Sequence, residues 1–137
     1  MNTKIKATQV LGIVVMYPYR WRIEQSEDPP PKDRMACAIL EYGDINERQI
    51  ALVAISDRVS EEAIELSPEE IAVSGLSSFR KAFVHVGHYN LDRKANSYTY
   101  NPRQKPKGRL PKALTIKVAA RLLENIRTGR AVRITRE

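Results

Sequence analysis

Apolar positions fall along this chain in short solid runs. Val10 to Met16 (VLGIVVM) is rich in β-branched residues, and Gly12 inside it predicts a strand with a bulge or a close backbone contact. Met35 to Leu40 and Gln49 to Ser56 (QIALVAIS) do not alternate, so each reads as a strand buried on both faces. The turn Tyr42-Gly43-Asp44 between them makes the pair a hairpin. Ile64 to Leu66 is a short strand candidate, and Ala82 to Tyr89 (AFVHVGHY) is another strand with Gly87 inside it. Leu91 to Arg109 is polar and reads as irregular, with a short strand candidate at Tyr98 to Tyr100.

Two helices interrupt this pattern. Ser67-Pro68-Glu69-Glu70 has capping-box order, with serine at the N-cap, proline at the first helical position and glutamate at the third. It opens a short helix that Gly75 ends. Pro111 to Thr128 is the one long helix, with Leu114, Val118, Leu122 and Ile126 on an i, i+4 ridge that Ala119 and Leu123 widen, and with Gly129 just past its end. About five short strands before one amphipathic helix, with no βαβ alternation, predict a mainly β (α+β) protein. It would be a single domain over 1–137, a small, strongly bent antiparallel β-structure with a helix packed on it.

Composition narrows the setting. At 137 residues, 42% apolar and 28% charged, the chain is long enough to bury a core and is not disordered in type. No apolar run approaches the roughly 20 residues needed to span a bilayer, and the N-terminus does not read as a signal peptide. Cys37 is the single cysteine, which excludes an internal disulfide, so the cytoplasm is the expected location. Charge is uneven. Residues 1–93 carry 11 Lys+Arg against 14 Asp+Glu, or −3, while residues 94–137 carry 12 against 2, or +10, and the two restore the +7 of the whole. A basic third on a slightly acidic body suits a polyanion or an acidic protein partner, and equally a solubilising face.

Neither metal-ligand spacing nor a glycine-rich phosphate loop is present, so no metal and no cofactor is expected. What remains are polar groups at strand ends. If the hairpin closes through Gly43, Arg34 at the start of one strand lies beside Ser56 at the end of the other, with Arg58 close by. A forked guanidinium beside a hydroxyl fits a phosphodiester, although Arg34 paired with Asp33 or Asp57 at a solvated strand end fits the same residues. His88 falls on the buried face of a regular strand. A bulge at Gly87 would instead bring it out beside His85, where a histidine serves as acid or base near neutral pH. Tyr17, Tyr19 and Trp21 alternate with Arg20 and Arg22, an order that suits unstacked RNA bases and their phosphates, or an aromatic strand end anchoring the next loop. That loop carries Pro29-Pro30-Pro31, which is stiff and extended.

Three segments in order, Gly12-Ile-Val-Val, Arg34-Met-Ala-Cys-Ala-Ile-Leu and Leu52-Val-Ala-Ile-Ser56, resemble the MazF/PemK/Kid toxins of bacterial toxin–antitoxin pairs. The long loop before Lys32-Asp33-Arg34, the Leu110-Pro111 helix start and the basic ending resemble a divergent PemK-like branch. The resemblance implies an SH3-like β-barrel with a C-terminal helix, usually a homodimer. It also implies metal-independent cleavage of single-stranded RNA and a small acidic antitoxin as partner. Arg34 matches the family's catalytic arginine and Ser56 its catalytic threonine or serine. His88 is a third catalytic candidate, and Tyr19, Trp21, Arg22, Lys32, Arg58 and Asn90 are candidate RNA contacts. Met35 and Ala54 stand where the family carries prolines. The alternative on the same barrel is a non-catalytic nucleic-acid-binding module.

Overall fold

A computed structural model of the chain describes residues 7–21, 32–43, 48–93 and 103–136. Its strands are β1 (Ala7–Pro18), β2 (Asp33–Gly43), β3 (Arg48–Ser56), β4 (Ala63–Glu65), β5 (Phe83–His85), β6 (His88–Arg93), β7 (Gly108–Arg109) and β8 (Val132–Thr135). Two helices, α1 (Pro68–Val73) and α2 (Lys112–Arg127), complete the described elements. The strands run β4-β5-β3-β2-β1-β7 in one curled sheet, with β6 on the first half of β3 and β8 beside β6. Among the described residues all pairings are antiparallel except β6 with β8. The fold is mainly β, a half-barrel with two helices.

The non-alternating runs are buried on both faces as their pattern demands. Cys37, Ile39, Ala51, Val53 and Ile55 face a core closed by Leu114, Val118 and Leu122 of α2 and Ile71 of α1. Ala36, Ala38, Ile50, Leu52 and Ala54 face the other way, into a second cluster with Val15, Tyr17 and Tyr19. The small side chains on this inner face leave room for the two tyrosine rings.

Gly12 is both a bulge and a close contact. The β1–β2 register shifts between Val10 and Ile13. Gly12 has φ +74°, and a Cβ there would lie 2.5 Å from Thr115 Oγ1 on α2. Only glycine allows the strand to bend there and the helix to seat so close.

The short helix forms as its capping box predicts, with both reciprocal bonds present: Glu70 N–H donates to Ser67 Oγ at 3.1 Å and Ser67 N–H to Glu70 Oε1 at 2.8 Å. The long helix starts at Lys112, with Pro111 as its N-cap, and ends where Gly129 takes φ +76°. Leu123, expected on the buried ridge, is 44% exposed. The ridge is Leu114, Val118 and Leu122, with Ala119, Thr115 and Asn125 beside it, and one residue further turns the side chain about 100° toward solvent.

The Ala82–Tyr89 strand is two strands. Ser56 pairs with Phe83, but Leu52 pairs with Asn90, so three residues are extra between the two ladders. The break is satisfied from several directions. Val86 N–H donates to Glu62 O at 2.7 Å, Asn125 Nδ2 donates to Val86 O at 2.9 Å, and Val132 N–H donates to Gly87 O at 3.0 Å. Leu91–Arg93, expected to be irregular, continues β6. The candidate strand at Tyr98 to Tyr100 and the triple proline lie outside the described residues.

A candidate active site at the mouth of the curled sheet

Four strand ends meet at one mouth of the half-barrel. The β2–β3 register runs Cys37↔Val53, Ala36↔Ala54, and two further steps along it set Arg34 opposite Ser56. The hairpin therefore brings together the cation and the hydroxyl that the sequence sets at opposite strand ends. Arg34 is exposed, and its guanidinium carbon stands 5.8 Å from the centroid of the Trp21 ring. That geometry is a cation–π contact, and Arg34 forms no ion pair with Asp33 or Asp57 among the described residues.

Ser56 sits at the end of β3. Its Oγ lies 2.7 Å from His85 Nε2, accepts from the Arg58 backbone N–H at 3.2 Å, and is 3.4 Å from Arg58 O. The other nitrogen of His85 lies 2.7 Å from Ser60 Oγ. Both ring nitrogens of a 2% exposed histidine are thus met by serine hydroxyls. Burial lowers the His85 pKa below its ordinary 6.5, so the ring is neutral at neutral pH.

His88 lies beside it, the two imidazoles stacked with centroids 6.2 Å apart. The break at Gly87 puts His88 half-buried at the mouth rather than in the core. Its Nδ1 is 2.8 Å from the Tyr19 hydroxyl. Burial, and then the charge His85 would carry, lower its pKa to about 4. Trp21, 37% exposed, meets Tyr19, His85 and His88 edge-on at centroid distances of 5.5, 5.4 and 5.1 Å. An indole held this way offers surface to a planar group.

Under this mouth the curl is closed by side chains. Tyr17, on β1, donates its hydroxyl to Asp92 Oδ2 on β6 at 2.6 Å. Asn90 bridges the Arg20 backbone on both sides: Arg20 N–H donates to Oδ1 at 2.9 Å and Nδ2 donates to Arg20 O at 2.8 Å. Arg136, just past β8, donates to Pro18 O, reaches Asn90 Oδ1 at 3.2 Å and stacks on Tyr17. Burial raises the pKa of both tyrosines, so neither ionises near neutral pH.

These contacts sort the residues singled out by sequence. Arg34, Ser56, His88 and Trp21 are brought together. Arg58 is exposed and reaches the site through its backbone, and Lys32 is exposed beside β2. Tyr19 and Asn90, expected to touch RNA, are instead buried at 1% and 0% exposure, with Asn90's polar atoms spent on Arg20 and Arg136. Arg22 lies outside the described residues. His85 and Ser60 carry no sequence signal of their own, because the first lies in an apolar strand and the second in a polar turn. Among the described residues no group of three or more His, Cys, Asp or Glu could hold a metal ion. Likewise, no helix among them is long and apolar enough to cross a membrane.

No protein-family model matches the chain, and neither a curated protein nor a solved structure does.

Proposed function

We propose that this chain is a metal-independent endoribonuclease of the MazF/PemK kind, on an SH3-like barrel, that cleaves single-stranded RNA. The observation that carries the reading is the meeting of Arg34, Ser56 and two neutral histidines beside a half-exposed Trp21. Each part suits phosphodiester cleavage. The substrate's own 2′-hydroxyl attacks the adjacent phosphorus, so the protein needs to supply only positioning, charge and a place for a proton. Arg34, with no carboxylate partner among the described residues, neutralises charge growing on the phosphoryl oxygens. Ser56 stands beside the reacting phosphate, and the Trp21 face stacks an unpaired base. In this reading the protein acts in the cytoplasm as a homodimer and is held in check by a small acidic antitoxin, whose charge complements the +10 of residues 94–137.

Incubating the protein with long single-stranded RNA in EDTA tests this. Discrete cuts are expected, reduced at least about 10²-fold in Arg34→Ala. Uncut RNA across varied sequences contradicts it. The second reading, a non-catalytic nucleic-acid-binding module, draws on exposed basic residues outside the Arg34–Ser56 cluster, among them Lys112 and Lys117 of α2 and Arg133 of β8. It predicts salt-dependent RNA binding that survives Arg34→Ala, without cleavage.

A further inference from the structure

We infer that His85 is the proton acceptor for the reaction and acts through Ser56, and that Ser60 holds it in the tautomer this requires. The inference rests on reading the site as a ribonuclease, and it names the base that such a site needs.

The two histidines carry their protons on opposite ring nitrogens in this proposal. The Tyr19 hydroxyl lies 2.8 Å from His88 Nδ1 and 3.3 Å from His88 O, and its proton is assigned to the ring nitrogen. A neutral His88 then carries its own proton on Nε2 and presents a donor. For His85 the order is reversed. Ser56 Oγ is 2.7 Å from Nε2 and 3.4 Å from Arg58 O, and the serine proton is assigned to Nε2. That leaves Nδ1–H to donate to Ser60 Oγ at 2.7 Å. His85 therefore presents an acceptor toward Ser56, with Ser60 on the far side fixing the ring.

Burial decides the route. RNA cannot touch a ring 2% exposed, whereas Ser56 is half-exposed and opens on the mouth. As the 2′-oxygen forms its bond to phosphorus, its proton passes to Ser56 Oγ and the Ser56 proton passes to His85 Nε2. The bond from phosphorus to the 5′-oxygen breaks, and that oxygen takes a proton from water. The imidazolium returns its proton to solvent through Ser56. While charged it donates to two hydroxyl oxygens, Ser56 and Ser60. Ser56 is then a relay, and the charge stabilisation falls to Arg34.

Among the described residues, the groups in contact with His85 come from several elements. His88 is stacked on it from β6, and Arg34 of β2 lies across the Trp21 indole. β3 and the turn after it contribute Ser56 and Ser60, and β4 sets Ala63 opposite. The neighbouring Glu62 carboxylate is turned to Arg121 and Asn125.

The test is single-turnover cleavage of single-stranded RNA in EDTA from pH 4.5 to 8.5, with circular dichroism as a check on folding. His85→Gln keeps a hydrogen-bonding group for Ser56 but cannot take a proton. It should lose about 10²–10⁴-fold in rate and the acid limb of the profile. Ser60→Ala, at an exposed turn, should lose about 5–10-fold, with the limb moved to lower pH because the imidazolium loses an acceptor. His88→Gln should cost less than His85→Gln and leave the limb in place. A ¹⁵N spectrum of the full chain should show the His85 proton on Nδ1, a reading independent of how any variant folds. RNA cut by the wild type and by His85→Gln within about threefold overturns the assignment alone. An Nε2-bound proton on His85 does the same. RNA uncut by the wild type overturns the ribonuclease reading, and the assignment with it.

Discussion

Replacing Asn90 with alanine separates a residue that holds the site from one that touches RNA. Asn90 is fully buried on β6, and its amide imitates a paired strand, taking the Arg20 N–H at 2.9 Å and giving to Arg20 O at 2.8 Å. Arg136 adds a third bond at 3.2 Å. Each neutral bond contributes about 1 kcal/mol and the charged one about 1.5–3, so their sum is about 3.5–5 kcal/mol. Water entering the space left by the side chain recovers part of this, which sets the expected loss at about 3 kcal/mol. Urea unfolding followed by circular dichroism measures it. Because Arg20 adjoins Trp21, the only tryptophan, native-state emission should shift to the red as the strand tip loosens. A loss under about 0.5 kcal/mol with unchanged emission would refute the clamp and return Asn90 to the RNA-contacting role.

Gly12→Ala places a side chain at φ +74° and 2.5 Å from Thr115 Oγ1. Left-handed strain of about 1–2 kcal/mol and overlap of about 1–3 predict a loss of about 2–5 kcal/mol in urea unfolding. Thr115→Ala in that background should restore the overlap part alone, seen as coupling in a double-mutant cycle. For His88, the folded pKa of about 4 lies below the ordinary 6.5, so the unfolded chain binds the extra proton between those values. Stability attributable to His88 is whole above pH 6.5 and falls as pH drops toward 4. Chemical denaturation across pH should show a shallower decline in His88→Gln than in the wild type, and identical slopes would contradict the burial argument.

The parts legible in sequence were those written in contiguous residues. Solid apolar runs specify β1 to β3, the capping box specifies α1, and the Gly12 interruption specifies a bulge whose second reason, Thr115, lies on a distant helix. The hairpin through Gly43 was enough to set Arg34 beside Ser56, since antiparallel pairing fixes which ends meet. The short elements were not legible. β7 has two residues, and β8 buries only Ile134 among basic neighbours while pairing in parallel with a strand some forty residues earlier. The roles of His85 and Asn90 were hidden for a different reason. A period-2 pattern tells which face a side chain takes, but not that the curl returns β6 to the tip of β1, where Asn90 finds Arg20. The sequence does place His88 beside His85 if the strand breaks at Gly87, and the three extra residues between the two ladders are that break.

In the proposed mechanism RNA supplies its own nucleophile at the mouth formed by Arg34 and Ser56. An oligoribonucleotide carrying one cut site, compared with the same oligomer bearing a single 2′-deoxy residue on the 5′ side of that cut, tests it most directly. The first should be cleaved in EDTA to a 2′,3′-cyclic phosphate and a 5′-hydroxyl, while the second stays whole. Cleavage of the deoxy-substituted oligomer at the same bond and at a similar rate would contradict it.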